Sequence, residues 1–160
     1  MTKTKKIQAK DYNSIVQKAE LLGVRMIKGN FDVQPEALAV FINPDQNADV
    51  KNNFSWDVIY KTYDPEEGLL VGEIKWHASN KIGRKKLVKA SCNFVIAFKG
   101  LFDCDKDCIN LFFETVGRTA AYPYFRSFYA QGASNAQIYL PILPMLKPAN
   151  PLQPNDRESI

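Results

Sequence analysis

Residues 116–146 read VGRTAAYPYFRSFYAQGASNAQIYLPILPML. Tyr122, Tyr124, Phe125, Phe128 and Tyr129 crowd its middle, with Pro123 among them and Gly132 just beyond. Pro123 suits the first turn of a helix, and Phe125, Phe128 and Tyr129 fall at i, i+3 and i+4, so the spacing predicts a helix that opens at Pro123 and closes at Gly132. In the IYLPILPML that follows, Pro141 and Pro144 remove two backbone donors, which argues against a central strand. Both segments are apolar. Whether they are core or a surface offered to a partner depends on how much core the rest of the chain needs.

Working outward, the period just before this stretch is helical. Cys108, Ile109, Phe112, Phe113 and Val116 share one face, and Asp103 or Asp105 can cap the first turn. Further upstream the period falls to two. Phe54, Trp56, Val58 and Tyr60 alternate, as do Leu70, Gly72, Ile74, Trp76 and Ala78, and the intervening DPEEG turn predicts an antiparallel hairpin. Val88, Ala90, Cys92, Phe94, Ile96 and Phe98 alternate with Lys89, Ser91, Asn93 and Lys99, a fourth strand with one apolar face. The first strand is VRMIKGNFDV, residues 24–33, where the alternation of Val24 and Met26 slips before Phe31 and Val33 as at a bulge near Gly29. EALAVFI, residues 36–42, makes a crossing connection. Residues 11–22 read as a leading helix with Asp11 as cap, Tyr12, Ile15, Val16, Ala19 and Leu22 on one face, and Gly23 at the C-terminal turn.

The pattern is an α+β domain: a four-stranded antiparallel sheet with a crossing connection after strand one, an added N-terminal helix, and C-terminal helices packed on the sheet. Its expected bounds are 11–146, between a flexible basic N-terminus (1–10) and a disordered proline-rich tail (147–160). With 160 residues, 46% of them hydrophobic and 24% charged, the chain has the balance of a soluble single domain. No apolar run approaches a membrane span and no signal follows the N-terminal lysines, so the expectation is a cytoplasmic protein without membrane insertion. Cys92, Cys104 and Cys108 are read as free thiols.

Catalytic and metal chemistry find little support. Asp103, Asp105, Asp107 and Glu114 occupy positions one, three, five and twelve of a calcium loop, but position six, normally glycine, is Cys108. His77 is the one histidine and lies on the polar face of its strand, opposite Trp76. No phosphate-binding glycine loop or nucleophile elbow occurs, so no enzyme activity and no cofactor is expected. The net charge of +4 permits nucleic acid, and Lys81, Arg84, Lys85, Lys86 and Lys89 cluster on one hairpin; inward-facing aromatics argue against a stacking platform there.

The stretch that opened this reading resembles the C-terminal region of SecB-type export chaperones and of the SecB-like chaperones found beside toxin-antitoxin pairs. In that family a helix runs into a proline-tyrosine-x-arginine element, here Pro123, Tyr124, Phe125 and Arg126, followed by an apolar segment with prolines. The order of strands agrees over about residues 24–146, and the motif itself over 117–146. The leading helix is more like the toxin-antitoxin-associated branch. The resemblance implies an ATP-independent holdase for unfolded or nascent polypeptides, preproteins or an antitoxin among them, built as a homo-oligomer, a dimer of dimers. Export chaperones engage the translocation ATPase through acidic surface, whereas this chain is basic, which leaves that partner open.

A client groove is expected where Leu38, Val40 and Phe41, Trp56, Tyr124, Phe125 and Phe128, and Tyr139, Leu140 and Leu143 converge. The alternatives are a nucleic-acid-binding module using the basic hairpin 81–89 and a scaffold protein that self-associates through the same apolar segments.

Overall fold

The alternations read over residues 70–78 and 88–98 form the two central strands of the sheet, and that over residues 54–60 lies in an edge strand. The computed structural model describes residues 9–43 and 49–146 of the chain. Its elements are α1 (Ala9–Lys18), β1 (Glu20–Val33), α2 (Pro35–Val40), β2 (Lys51–Asp64), β3 (Leu69–Ile82), β4 (Lys85–Lys99), α3 (Lys106–Phe112), a π-helical segment (Phe113–Gly117) and α4 (Arg118–Asn135). The strands form one antiparallel sheet in the order β1-β4-β3-β2, so the chain crosses after β1 to the far edge and returns by hairpins. The expected sheet, crossing connection, N-terminal helix and C-terminal helical layer are all present.

Alternate residues of β3 and β4 set the layers. Leu70, Ile74 and Trp76 with Cys92, Phe94, Ile96 and Phe98 point to one face, where Ile109, Phe112, Phe113, Ala121, Phe125 and Tyr129 of the helical layer cover them. The opposite face carries Glu73, Lys75, His77, Ser79, Lys89, Ser91 and Asn93, half-buried by their neighbours or open to solvent. His77 therefore lies on the polar face as its spacing implied, 3.3 Å from the Asp57 carboxylate. A second cluster at one end of the sheet joins Ala37 and Phe41 to Leu87, Val88, Ala133 and Ile138.

Four local expectations are corrected. The leading helix ends at Lys18, not Leu22, and Gly23 is a strand residue. Leu21 and Gly23 pair with Phe98 and Ala97, and ladder hydrogen bonds outweigh the helical spacing of Leu22. Ala9 and Lys10, read as part of the flexible N-terminus, lie in α1. Pro123 does not open a helix: α3, the π segment and α4 run on without a break, and Pro123 sits inside α4. The π turn, which ends at Gly117 six residues upstream, widens the spiral, and Thr119 spends its hydroxyl on the Thr115 carbonyl, so the helix has already departed from ideal pairing before the ring arrives.

Gly132 does not close α4, which continues to Asn135. A Cβ there would stand 2.3 Å from the Phe31 ring, so this glycine permits close packing of α4 on β1. The register slip in β1 is real and lies between Met26 and Lys28, with a second between Leu21 and Gly23. Of the two cap candidates for α3, Asp105 is used: its carboxylate accepts from the Asp107 and Cys108 N–H groups. The expectations for residues 1–8 and 147–160 lie outside the described residues.

Candidate functional site

α4 presents Tyr122, Phe125, Tyr129 and Ala133 to the sheet, the i, i+3, i+4 stripe that buries one side of a helix. Phe125 stacks on Trp76 at 5.9 Å between centroids, and Tyr122 lies 4.8 Å from the same indole. Phe54 of the edge strand β2 completes this group, 6.4 Å from Trp76. Beside it the Arg118 guanidinium lies 5.0 Å over the Trp56 ring. Deeper in, Tyr129 donates to Asn80 Oδ1 at 2.7 Å, and Asn80 Nδ2 donates to Asn52 Oδ1 at 2.6 Å, so the buried amide is satisfied. Burial pushes the Tyr129 hydroxyl up to about 12, with the Asn80 hydrogen bond working the other way. Burial likewise raises Tyr122, against the pull of Arg126.

After α4 the chain reverses at Gln137, whose φ of 55° is left-handed, and runs back along the helix without joining a helix or strand. Residues 138–146 thus form a strap. The Tyr139 N–H donates to the Phe41 carbonyl at 2.8 Å, tying the strap to the crossing segment. Further on, the Tyr122 hydroxyl donates to the Pro144 carbonyl, and Arg126 reaches the Met145 sulfur at 2.7 Å. Ile138 and Leu143 are buried. Their neighbours point outward: Tyr139 is 56% exposed, Ile142 81% and Met145 76%. Pro141 and Pro144 have no N–H to donate, so the strap forms no ladder with the sheet.

The ten residues expected at a groove do not converge on one place. Leu38 is exposed and Val40 half-buried on the crossing segment, while Phe41 is wholly buried beneath them. Trp56, Leu140 and Leu143 lie on the strap side, Leu143 within the core and the other two packed against it. Phe125 is core. Tyr124 and Phe128 face the other way, Tyr124 near Phe94 and Phe128 against Phe31 and Gly29 on the β1 side. Alternate α4 residues therefore serve opposite flanks, which the one-dimensional cluster of aromatics concealed. Residues missed on the strap side are Tyr122, Arg118, Arg126, Ile142 and Met145. Arg126 was visible only as part of the proline-tyrosine-x-arginine element.

Exposed apolar side chains also gather along the free edge of β1, where Leu21, Leu22, Met26 and Ile27 are exposed. Leu22 and Ile27 are the extra residues at the two register shifts. No group of three or more metal-ligating side chains occurs among the described residues.

The comparison with solved structures meets this geometry directly. The chain superposes on the SecB-like chaperone Rv1957 of Mycobacterium tuberculosis, solved in complex with a ChAD peptide from the HigA1 antitoxin Rv1956, with a TM-score of 0.70 at 16% identity over 88% of this chain and 99% of that one. The fold is SecB-like. A protein of unknown function from Streptococcus agalactiae also aligns, at 9% identity over 74% of this chain and 89% of that one, with a TM-score of 0.31. No protein-family model and no curated protein matches the chain. At this identity the likeness is one of backbone architecture, and the roles of side chains rest on this chain alone.

Proposed function

We propose that this protein is an ATP-independent holdase that binds non-native polypeptides, preproteins or an antitoxin among them, in an apolar groove on the strap side of α4. The observation that carries this reading is the strap: a non-laddered segment that turns Tyr139, Ile142 and Met145 to solvent beside the exposed Leu38 and Ile42 of the crossing segment and the half-buried Trp56. Support comes from the fold, which is that of a chaperone solved with a bound peptide. Burial of apolar surface yields about 25 cal/mol per Å² and is non-directional, so an extended chain is held by many small contacts without a sequence code. Buried Phe41, Phe125 and Leu143 form the floor, Leu38, Val40, Trp56, Tyr139, Leu140, Ile142 and Met145 the contact surface; Tyr124 and Phe128 offer a second contact area on the β1 flank.

The working unit in this reading is a homo-oligomer, a dimer of dimers, because a single copy leaves Leu21, Leu22, Met26 and Ile27 uncovered on a sheet edge. No ATP and no cofactor enters, and the location is the cytoplasm. The test is light scattering of a denatured protein diluted into buffer with and without this chain. Suppression of scattering in the absence of nucleotide is expected; aggregation at the control rate, with the chain folded and oligomeric, would leave only the self-associating scaffold.

A further inference from the structure

The open face of the sheet holds an arrangement that the holdase reading does not use. At the end of the sheet nearest the crossing segment, Lys51 of β2 pairs with Lys81 of β3, and Lys81 pairs with Lys86 of β4. Three lysines thus stand side by side in one cross-strand row. A register shift makes the row: Asn80 pairs with Val88 but Lys81 with Lys86, so Leu87 is left over and buries itself against Ala37 and Phe41. With that residue turned inward, Lys86 joins Lys89, Ser79 and Asn53 on the wall of an open trough of about 490 Å³. The next row continues it, Asn53 opposite Ser79 and Ser79 opposite Lys89.

Like charges directly opposite on neighbouring strands oppose folding, and strands lie about 4.8 Å apart, so the outer ammonium stems of the row rise roughly 10 Å from one another. Compensation within the row is missing. Among the described residues Lys51, Lys81 and Lys86 make no ion pair, whereas Lys61, Lys85 and Lys99 each have a carboxylate partner and Lys89 of the next row has Asp32 of β1 opposite it. A local rule broken with no gain inside the fold is where a functional site is to be sought.

We infer that this row is the docking site of an acidic polypeptide segment, whose carboxylates seat on Lys51, Lys81 and Lys86 with Lys89 and the Ser79 and Asn53 side chains beside them. Side chains two residues apart on an extended chain are about 7 Å apart on one face, within the reach of lysines in a row roughly 10 Å wide. A peptide suits the surface better than nucleic acid. No Phe, Tyr or Trp lines the trough for bases to stack on, His77 being the one ring in its wall, and Asp32 and Asp57 in the same lining repel any anion that extends across it, so the occupant is a short acidic run confined to the lysine row. This surface lies on the opposite side of the sheet from the strap and stands independently of the holdase reading.

The experiment uses the full chain and a fluorescein-labelled peptide of alternating Glu and Ser, which lacks apolar residues and so gives the strap side nothing to bind. Anisotropy titrations at low and high salt are compared between the parent and the K51Q/K81Q/K86Q variant, with a single-stranded oligothymidine of equal charge as the second probe. Expected are saturable, salt-sensitive peptide binding, roughly tenfold weaker in the triple variant, and weaker binding of oligothymidine. K81Q alone should melt no lower than the parent, because it removes the middle charge of a repelling row. Absence of peptide binding, equal binding by the folded triple variant, or tighter binding of oligothymidine would overturn the inference. A K81Q melting point several degrees below the parent would do so too, by showing that the row supports the fold on its own.

Discussion

Ile142 and Leu143 are adjacent in sequence and should respond to the same substitution in opposite ways. Leu143 is 5% exposed within the main core, so truncation to Ala leaves a cavity and costs about 2–5 kcal/mol of stability. For a chain of this length each kcal/mol moves the melting point by about 2–4 °C, so L143A should melt roughly 5–20 °C lower. Ile142 is 81% exposed. Full burial of an isoleucine side chain contributes about 1.5–3 kcal/mol, and only about a fifth of that is realised here, so I142A should cost less than roughly 0.6 kcal/mol of folding. The remaining four-fifths is available to a client. Its loss should weaken holding by about 1–2 kcal/mol, or roughly five- to thirty-fold in client affinity. Differential scanning calorimetry gives the first quantity, and competition for a fluorescent unfolded polypeptide the second. An I142A protein that melts as low as L143A, or that holds clients as well as the parent, would refute the assignment of the strap's outer face.

Other outcomes follow from the packing. Gly72 of β3 faces the Phe113 ring, and an added Cβ would lie 2.4 Å from that ring and 2.8 Å from the Tyr60 carbonyl oxygen; because the backbone cannot yield, G72A should destabilise by about 1–3 kcal/mol, read as a lowered melting point. Burial pushes the thiols of Cys92 and Cys108 up to about 12 and about 11, so both should stay unmodified by iodoacetamide at pH 8 while half-buried Cys104 reacts first; labelling of Cys92 as fast as Cys104 would contradict the core geometry. Raised in the folded state above its ordinary value of 10, the Tyr129 hydroxyl contributes stability that is fully present below pH 10 and lost as pH rises toward 12, and Y129F should flatten that alkaline slope in a pH series of melts. Sedimentation at micromolar concentration should show an oligomer, and L22E with I27E should shift it toward the monomer without unfolding it. Removal of residues 147–160 should leave both melting point and oligomer unchanged, as their proline-rich, polar composition implies.

The parts of the fold that were legible in the sequence are those where one physical signal dominates. β3 and β4 are buried on one face along their whole length, so Trp76, Cys92, Phe94 and Ile96 print a clean period of two. Asp105 was legible as a cap because its carboxylate has a local task. Errors came where two signals competed over the same residues. Leu22 continues the spacing of α1, yet the pairing of its neighbours Leu21 and Gly23 with β4 claims it for the sheet, a tertiary preference that no local window contains. Pro123 and Gly132 carry helix-boundary signals, but a π turn lies upstream of the first and the Phe31 ring fills the space over the second. The site was harder still. Tyr124 and Phe125 are neighbours in sequence, and one is exposed beside β4 while the other is sealed under α4, a difference that depends on the phase of the helix about its axis. The lysine row depends on a single left-over residue, Leu87, which sequence spacing reads as an ordinary turn lysine cluster.

The most direct test of the central claim is site-specific photo-crosslinking to a permanently unfolded polypeptide that carries no acidic run. With a benzophenone side chain at Ile142 on the strap, or at His77 on the open sheet face, the account predicts crosslinks from position 142 that an excess of unlabelled client removes, and none from position 77. Client crosslinks from position 77 with none from 142 would contradict it.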